Sequence, residues 1–149
     1  MNFDQLMMQA IASAKVAATK GDVPVGAIVV NEQGEVLGIG HNLREENNDP
    51  TAHAEIVAMR NAATKISNWR LDDLTMIVTL EPCAMCAGAI SQSRFKRLVF
   101  GAWDKKAGAV GSVWDVIRDQ RNLNKVEVIT GILEKECAQL LTDFFEEKR

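Results

Sequence analysis

The chain has 149 residues, 47% of them hydrophobic and 25% charged, with a formal net charge of −3. That is the size of one domain, able to bury roughly 68–70% of its unfolded surface in one core. The composition is close to the globular average, which suggests neither disorder nor a coiled coil, and no disulfide is needed to explain stability. The N-terminal MNFDQLMMQA carries Asp4 and no Lys or Arg, so it lacks the basic region of a secretory signal. The longest apolar run, Val25 to Val30, is far too short to cross a bilayer. A cytoplasmic protein without membrane contact is expected. The three cysteines include a Cys83-x-x-Cys86 pair and an odd Cys137. That count suits a reducing compartment with a metal or redox site better than a disulfide scaffold.

In chain order, Phe3, Leu6, Met7, Ala10, Ile11, Ala14 and Ala17 recur at helical spacing before a Gly21-Asp22 stop, which predicts an amphipathic helix over 3–19. Two strand-like runs follow, at 24–30 and 35–40, joined by the turn-forming Asn31 to Gly34. Residues 42–50 read as a loop, and Pro50-Thr51 marks a helix starting near Ala52 and ending at Ser67-Asn68. A strand at 74–80 gives way at Glu81-Pro82 to a second helix through residue 93, with Pro82 at its opening, where a missing N–H costs nothing. A strand at 97–102, a loop rich in Gly and Lys, a short helix over 113–119, a strand at 126–130 and a helix over 133–147 complete the reading. There is no internal repeat. The order predicts an α/β fold: one three-layer α/β/α sandwich domain, 1–149, around a mixed five-stranded sheet.

Charge is unevenly spread. Residues 92–125 hold eight basic and three acidic side chains, whereas 1–91 hold six and eleven. The basic segment reads either as an anion-facing stripe or as a solvated face of mixed charge.

Cys83 and Cys86 stand at i and i+3 of a helix start, where two sulfurs share a face and the helix end favours thiolates. Alone, such a pair suits a metal or a thioredoxin-like redox couple equally. Thr51-Ala52-His53-Ala54-Glu55 adds an imidazole and a carboxylate at the start of the preceding helix, on the same edge of the sheet. Residues two apart do not share a helix face, so the spacing suits a ligand beside a general acid/base. His53, Cys83 and Cys86 would leave a zinc ion one open position for water, the mark of a catalytic site. Two thiolates weaken the metal's acidifying effect on that water, which gives Glu55 the larger part in proton transfer. His41, Cys137, Met7, Met8 and Met85 read as structural side chains.

H-A-E followed by P-C-x-x-C is the signature of zinc nucleobase deaminases. Along VPVGAIVV, Gly40-His41-Asn42, DPTAHAEI, TLEPCAMCAGAI, FGAWDKKAGAVGS and LLTDFF the chain resembles the bacterial tRNA-specific adenosine deaminases, within the cytidine-deaminase-like fold. The resemblance implies hydrolytic conversion of adenosine to inosine at the wobble position of a tRNA anticodon, by a homodimer with one Zn2+ per subunit and no organic cofactor. It implies that zinc-activated water attacks C6 while Glu55 moves the protons. By matching position, Asn42 would contact the target base, and Asp104, Lys106 and Phe145 the flanking anticodon-loop nucleotides. Trp103 departs from the smaller or charged residue of many relatives, and the chain ends Glu146-Glu147-Lys148-Arg149 where many continue into a basic tail. Two rivals follow: a deaminase of free bases or nucleosides, and a non-enzymatic domain whose His41, His53, Cys83 and Cys86 close a structural zinc site.

Overall fold

The computed structural model describes residues 1–148. Helical apolar spacing winds Phe3–Thr19 into α1, whose first turn is capped by Asn2 accepting from the Gln5 N–H at 3.1 Å. β1 (Gly26–Val30) and β2 (Val36–His41) form the expected hairpin. Its turn is tied by Asn31 Oδ1, which accepts from the backbone N–H groups of Gln33 and Glu35. The remaining elements are α2 (Arg44–Asn47), α3 (Ala54–Ile66), β3 (Thr75–Leu80), α4 (Ala84–Gln92), β4 (Arg97–Ala102), β5 (Glu127–Ile129) and α5 (Glu134–Glu147).

The sheet runs β2-β1-β3-β4-β5, antiparallel between its first three strands and parallel between its last three. Successive side chains alternate between two cores, as the pleat requires. Ile28, Val30, Ile77 and Val99 face Leu6, Met7 and Ala10 of α1 and Cys137 of α5. Val29, Met76, Val78, Leu98 and Phe100 face Ala54, Ala58 and Met59 of α3 and Ala87 and Ile90 of α4. The expected three-layer α/β/α sandwich with a mixed five-stranded sheet is therefore what forms. Gly40 sets the depth of one layer: a Cβ there would lie 2.4 Å from the Ala54 carbonyl oxygen, so only glycine lets the first turn of α3 sit this close to β2.

Three local readings need correction. Residues 113–119 form turns and bridges and no helix, because their neighbourhood's backbone groups are already engaged. Asp115 pairs with Val110 in an isolated bridge, and the Val113 and Val116 N–H groups bond the Gly108 and Ala109 carbonyls in place of helical i→i−4 partners. The single helical turn of α2 lies instead inside the stretch read as a loop. Asp22 induces it by accepting from the N–H groups of Glu45 at 2.9 Å and Glu46 at 3.3 Å. The helices also begin later than expected: His53 and Cys83 are the N-cap residues of α3 and α4, and Pro82 lies just outside the second.

Candidate active site and metal centre

The two metal-site motifs sit at helix N-termini beyond the carboxyl ends of β2 and β3, on one edge of the sheet. As N-cap residues, His53 and Cys83 have extended backbones (ψ 157° and 176°), and neither side chain caps its own helix. Both side chains are thus released towards each other. His53 Nδ1 stands 3.4 Å from Cys83 Sγ and 3.5 Å from Cys86 Sγ, and the three ligand atoms all lie within 4.8 Å of one another. Nitrogen and sulfur ligands on one tetrahedral zinc ion, with bonds of roughly 2.0 and 2.3 Å, lie about 3.5 Å apart. The spacing therefore fits such an ion without rearrangement. His41 stands outside this group, and its Nε2 is buried without a hydrogen-bond partner among the described residues. The four-ligand structural cage is not formed.

The electrostatics of the donor set point the same way. The thiol of Cys86 beside Cys83, followed by the His53 imidazole, pulls the Cys83 thiol down to about 4, while the proton shared with Cys83 and burial push Cys86 up. One thiolate can exist there alone. A second needs a cation between the sulfurs, which a divalent metal supplies. Glu55 is 4% exposed, and burial pushes its carboxyl up to about 7, against the opposing pull of its own backbone N–H and of His53.

These side chains open on a cavity of about 230 Å³ walled by Val23, Val25 and Leu80, with Asn42, Arg44, Glu55 and Asp104 at its polar positions. The space is smaller than the ~300–1,000 Å³ of a drug-sized ligand site and suits one heterocycle. Asn42 is fixed within it: its Oδ1 accepts from the Arg44 N–H at 3.1 Å, and its Nδ2 makes a long 3.4 Å bond to the Val23 carbonyl. Asp104 lines the cavity and turns the next residues by accepting from the Lys106 and Ala107 N–H groups. Lys106 is exposed on that turn, outside the lining. Phe145 is also outside it, 49% exposed and edge-on to Phe144 at 5.4 Å.

Two residues passed over in the sequence organise this site. Glu81, 2% exposed, accepts from the N–H groups of Asp104 at 2.9 Å and of Val110 and Ser112 at 3.0 Å, and from the Ser112 hydroxyl. Its only sequence signal is its place between a strand and Pro82. Arg44, in a stretch read as featureless loop, brings Nη1 to 3.4 Å from His53 Nε2.

The segmental charge does not form one stripe. Lys96 pairs with Glu32 at 2.7 Å and Arg97 with Glu127 at 3.0 Å, at the amino ends of β4 and β5, away from the cavity. Arg118 and Arg121 pair with Asp115 and Asp119. Lys105 and Lys106 make no ion pair among the described residues.

The model of the MafB19-like deaminases matches residues 1–149. The chain belongs to this deaminase family. This deaminase is 49% identical to the tRNA-specific adenosine deaminase of Haemophilus influenzae over 148 residues, which cover 99% of this chain and 86% of that one. It is 44% identical to the tRNA-specific adenosine deaminase of Bacillus subtilis, over 100% of this chain and 92% of that one. A solved structure from biochemical and structural studies of A-to-I editing by tRNA:A34 deaminases superposes with a TM-score of 0.87 at 39% identity, covering 92% of this deaminase and 99% of that chain.

Proposed function

We propose that this deaminase converts adenosine at the wobble position of a tRNA anticodon to inosine, consuming one water and releasing ammonia. The observation that carries the reading is a buried carboxyl, Glu55, held near pH 7 beside a His/Cys/Cys group in a cavity sized for one base. Zinc is the metal the donor set fits, held by His53, Cys83 and Cys86. When bound there it polarises and acidifies a water in its open position. Glu55 takes the proton of the attacking water and delivers it to the departing amino nitrogen at C6. A buried carboxyl placed beside the reacting atoms performs both halves of that transfer, worth typically ~10²- to 10⁴-fold in rate.

Asn42, held at Oδ1 by the Arg44 N–H and at Nδ2 by the Val23 carbonyl, keeps one lone pair and one N–H for the target base. The base must leave its stack to enter the cavity, at a cost of a few kcal/mol, so contacts to neighbouring nucleotides have to offset that cost. Asp104 and Lys106, on the turn at the cavity's rim, and Phe145 on α5 are assigned to those nucleotides. The enzyme works as a homodimer in the cytoplasm, where its tRNA substrate is, and needs no organic cofactor.

The rival substrate is a free base. A solved guanine deaminase of Bacillus subtilis is 36% identical over 69% of this chain, with a TM-score of 0.66. The higher identity and fuller coverage of the tRNA-specific relatives favour RNA. Incubation with an anticodon stem-loop carrying wobble adenosine, beside free adenosine, cytidine and guanine, tests the choice by nucleoside chromatography. Inosine formed only in the stem-loop is expected; conversion of the free compounds alone overturns the reading.

A further inference from the structure

We infer that Arg44 and His53 Nε2 together form a phosphodiester subsite that holds the backbone beside the target nucleotide; this rests on the tRNA-deaminase reading. His53 turns Nδ1 towards the two sulfurs, so metal binding there uses that lone pair and leaves Nε2 as an N–H donor. The group facing Nε2 at 3.4 Å is Arg44 Nη1, itself only a donor. In metal-bound histidines the second ring nitrogen normally meets a carboxylate, a carbonyl or water. Here it meets a guanidinium, and the charge-bearing partner that would reconcile the two donors is an anion between them. An oxygen about 2.8 Å from each is compatible with donors 3.4 Å apart.

Arg44 is suited to that role by its surroundings. It lines the cavity beside Asn42 and His53, and it makes no ion pair among the described residues, although Glu45, Glu46 and Asp49 are close in sequence. Glu46 is engaged by Lys20 and Asp49 by Arg60. Its backbone is fixed by Asn42 Oδ1, and the two following N–H groups are fixed by Asp22. The guanidinium is therefore aimed from a held backbone at the mouth of a cavity sized for the base alone. A base inside that cavity leaves its sugar and phosphate at the mouth. A free base or nucleoside has no phosphate to place there, so the subsite discriminates a nucleotide within a chain from a loose one.

The test measures RNA affinity in metal-loaded protein carrying Glu55→Gln to stop turnover. Probes are the anticodon stem-loop and two copies with a neutral methylphosphonate linkage on the 5′ or the 3′ side of the target adenosine. Arg44→Ala is exposed and keeps fold and metal. It is expected to weaken binding of the normal stem-loop roughly ten- to hundredfold and to lower the salt slope by about 0.7. Arg44→Lys keeps the slope and loses part of the affinity, since the charge remains without the fork. One methylphosphonate should weaken the Arg44 protein to the same extent, and on that RNA Arg44→Ala should cost nothing more. Unchanged affinity in Arg44→Ala, or losses that add at both linkages, overturn the subsite. Inosine formation by the protein with Glu55 intact is scored separately, so a failed subsite and a failed substrate assignment give different results.

Discussion

Glu55 illustrates how one side chain's surroundings set its chemistry. Burial raises its carboxyl from 4.5 to about 7, which means the folded protein prefers the neutral form. The stability this preference contributes is fully present below the unfolded value near 4.5 and is lost as pH rises through about 7. In metal-stripped protein, Glu55→Gln should match the parent near pH 4.5 and become more stable by about 3 kcal/mol above pH 7. Urea denaturation at both pH values reads the difference, and one that does not grow with pH contradicts the burial argument. Two residues assigned to RNA are separable in the same spirit. Lys106→Ala should weaken stem-loop binding and reduce its salt slope by about 0.7, whereas Phe145→Ala should weaken binding with the slope intact, because an aromatic stacks without charge. A salt series in which both variants bind like the parent removes these positions from the interface.

At the level of elements, α3 and α4 build the candidate site because neither N-cap side chain caps its own helix: His53 and Cys83 turn instead into the His/Cys/Cys group that could hold a metal. The turn at 104–112 is held from within by Asp104 and from below by the buried carboxylate of Glu81. Glu81 accepts from three N–H groups and one hydroxyl, so Glu81→Gln places an amide NH2 against donors and leaves at least one unsatisfied, at a cost of about 1–3 kcal/mol. The variant should keep its metal and bind the stem-loop more weakly, as Asp104 and Lys106 lose their support; equal affinity would show that the turn holds itself. The same carboxylate marks the boundary of what the sequence discloses. His53, Glu55, Cys83 and Cys86 were legible because their chemistry demands local spacing, and five strands were legible because both sheet faces are apolar. Residues 113–119 misled because apolar spacing does not show that the Val113, Trp114 and Val116 N–H groups bond the Gly108 and Ala109 carbonyls, in a turn whose Val110 and Ser112 are held by Glu81, distant in sequence. Arg44 was invisible for the same reason: its meaning lies in a histidine nine residues away, across a turn created by Asp22.

Across the whole molecule, Lys96 and Arg97 are paired at the amino ends of β4 and β5, while Lys105 and Lys106, which make no ion pair among the described residues, stand beside Asp104 at the cavity's rim. An acidic protein can hold RNA this way, through a small cationic rim and specific pockets in place of a broad basic face. The homodimer we propose would pair through α4. Nothing lies within 4 Å of a Cβ built on Gly88, and Met85, one turn earlier, is 38% exposed. Gly88→Trp therefore adds its bulk from an open Cβ position and obstructs a partner on that helix. Sedimentation of the parent should give twice 16.4 kDa and of Gly88→Trp the single-chain mass. A dimeric variant moves the interface off α4, and a parent of single-chain mass removes the dimer.

The proposed chemistry rests on a division of labour between Glu55 and the three proposed ligands. Parent and Glu55→Gln, loaded with zinc, are assayed together for bound metal and for inosine in a single turnover of the anticodon stem-loop. One metal per chain in both proteins, with inosine formed by the parent and reduced at least ~10²-fold in the variant, is the predicted result. Loss of metal in step with activity, or full turnover by Glu55→Gln, would contradict it.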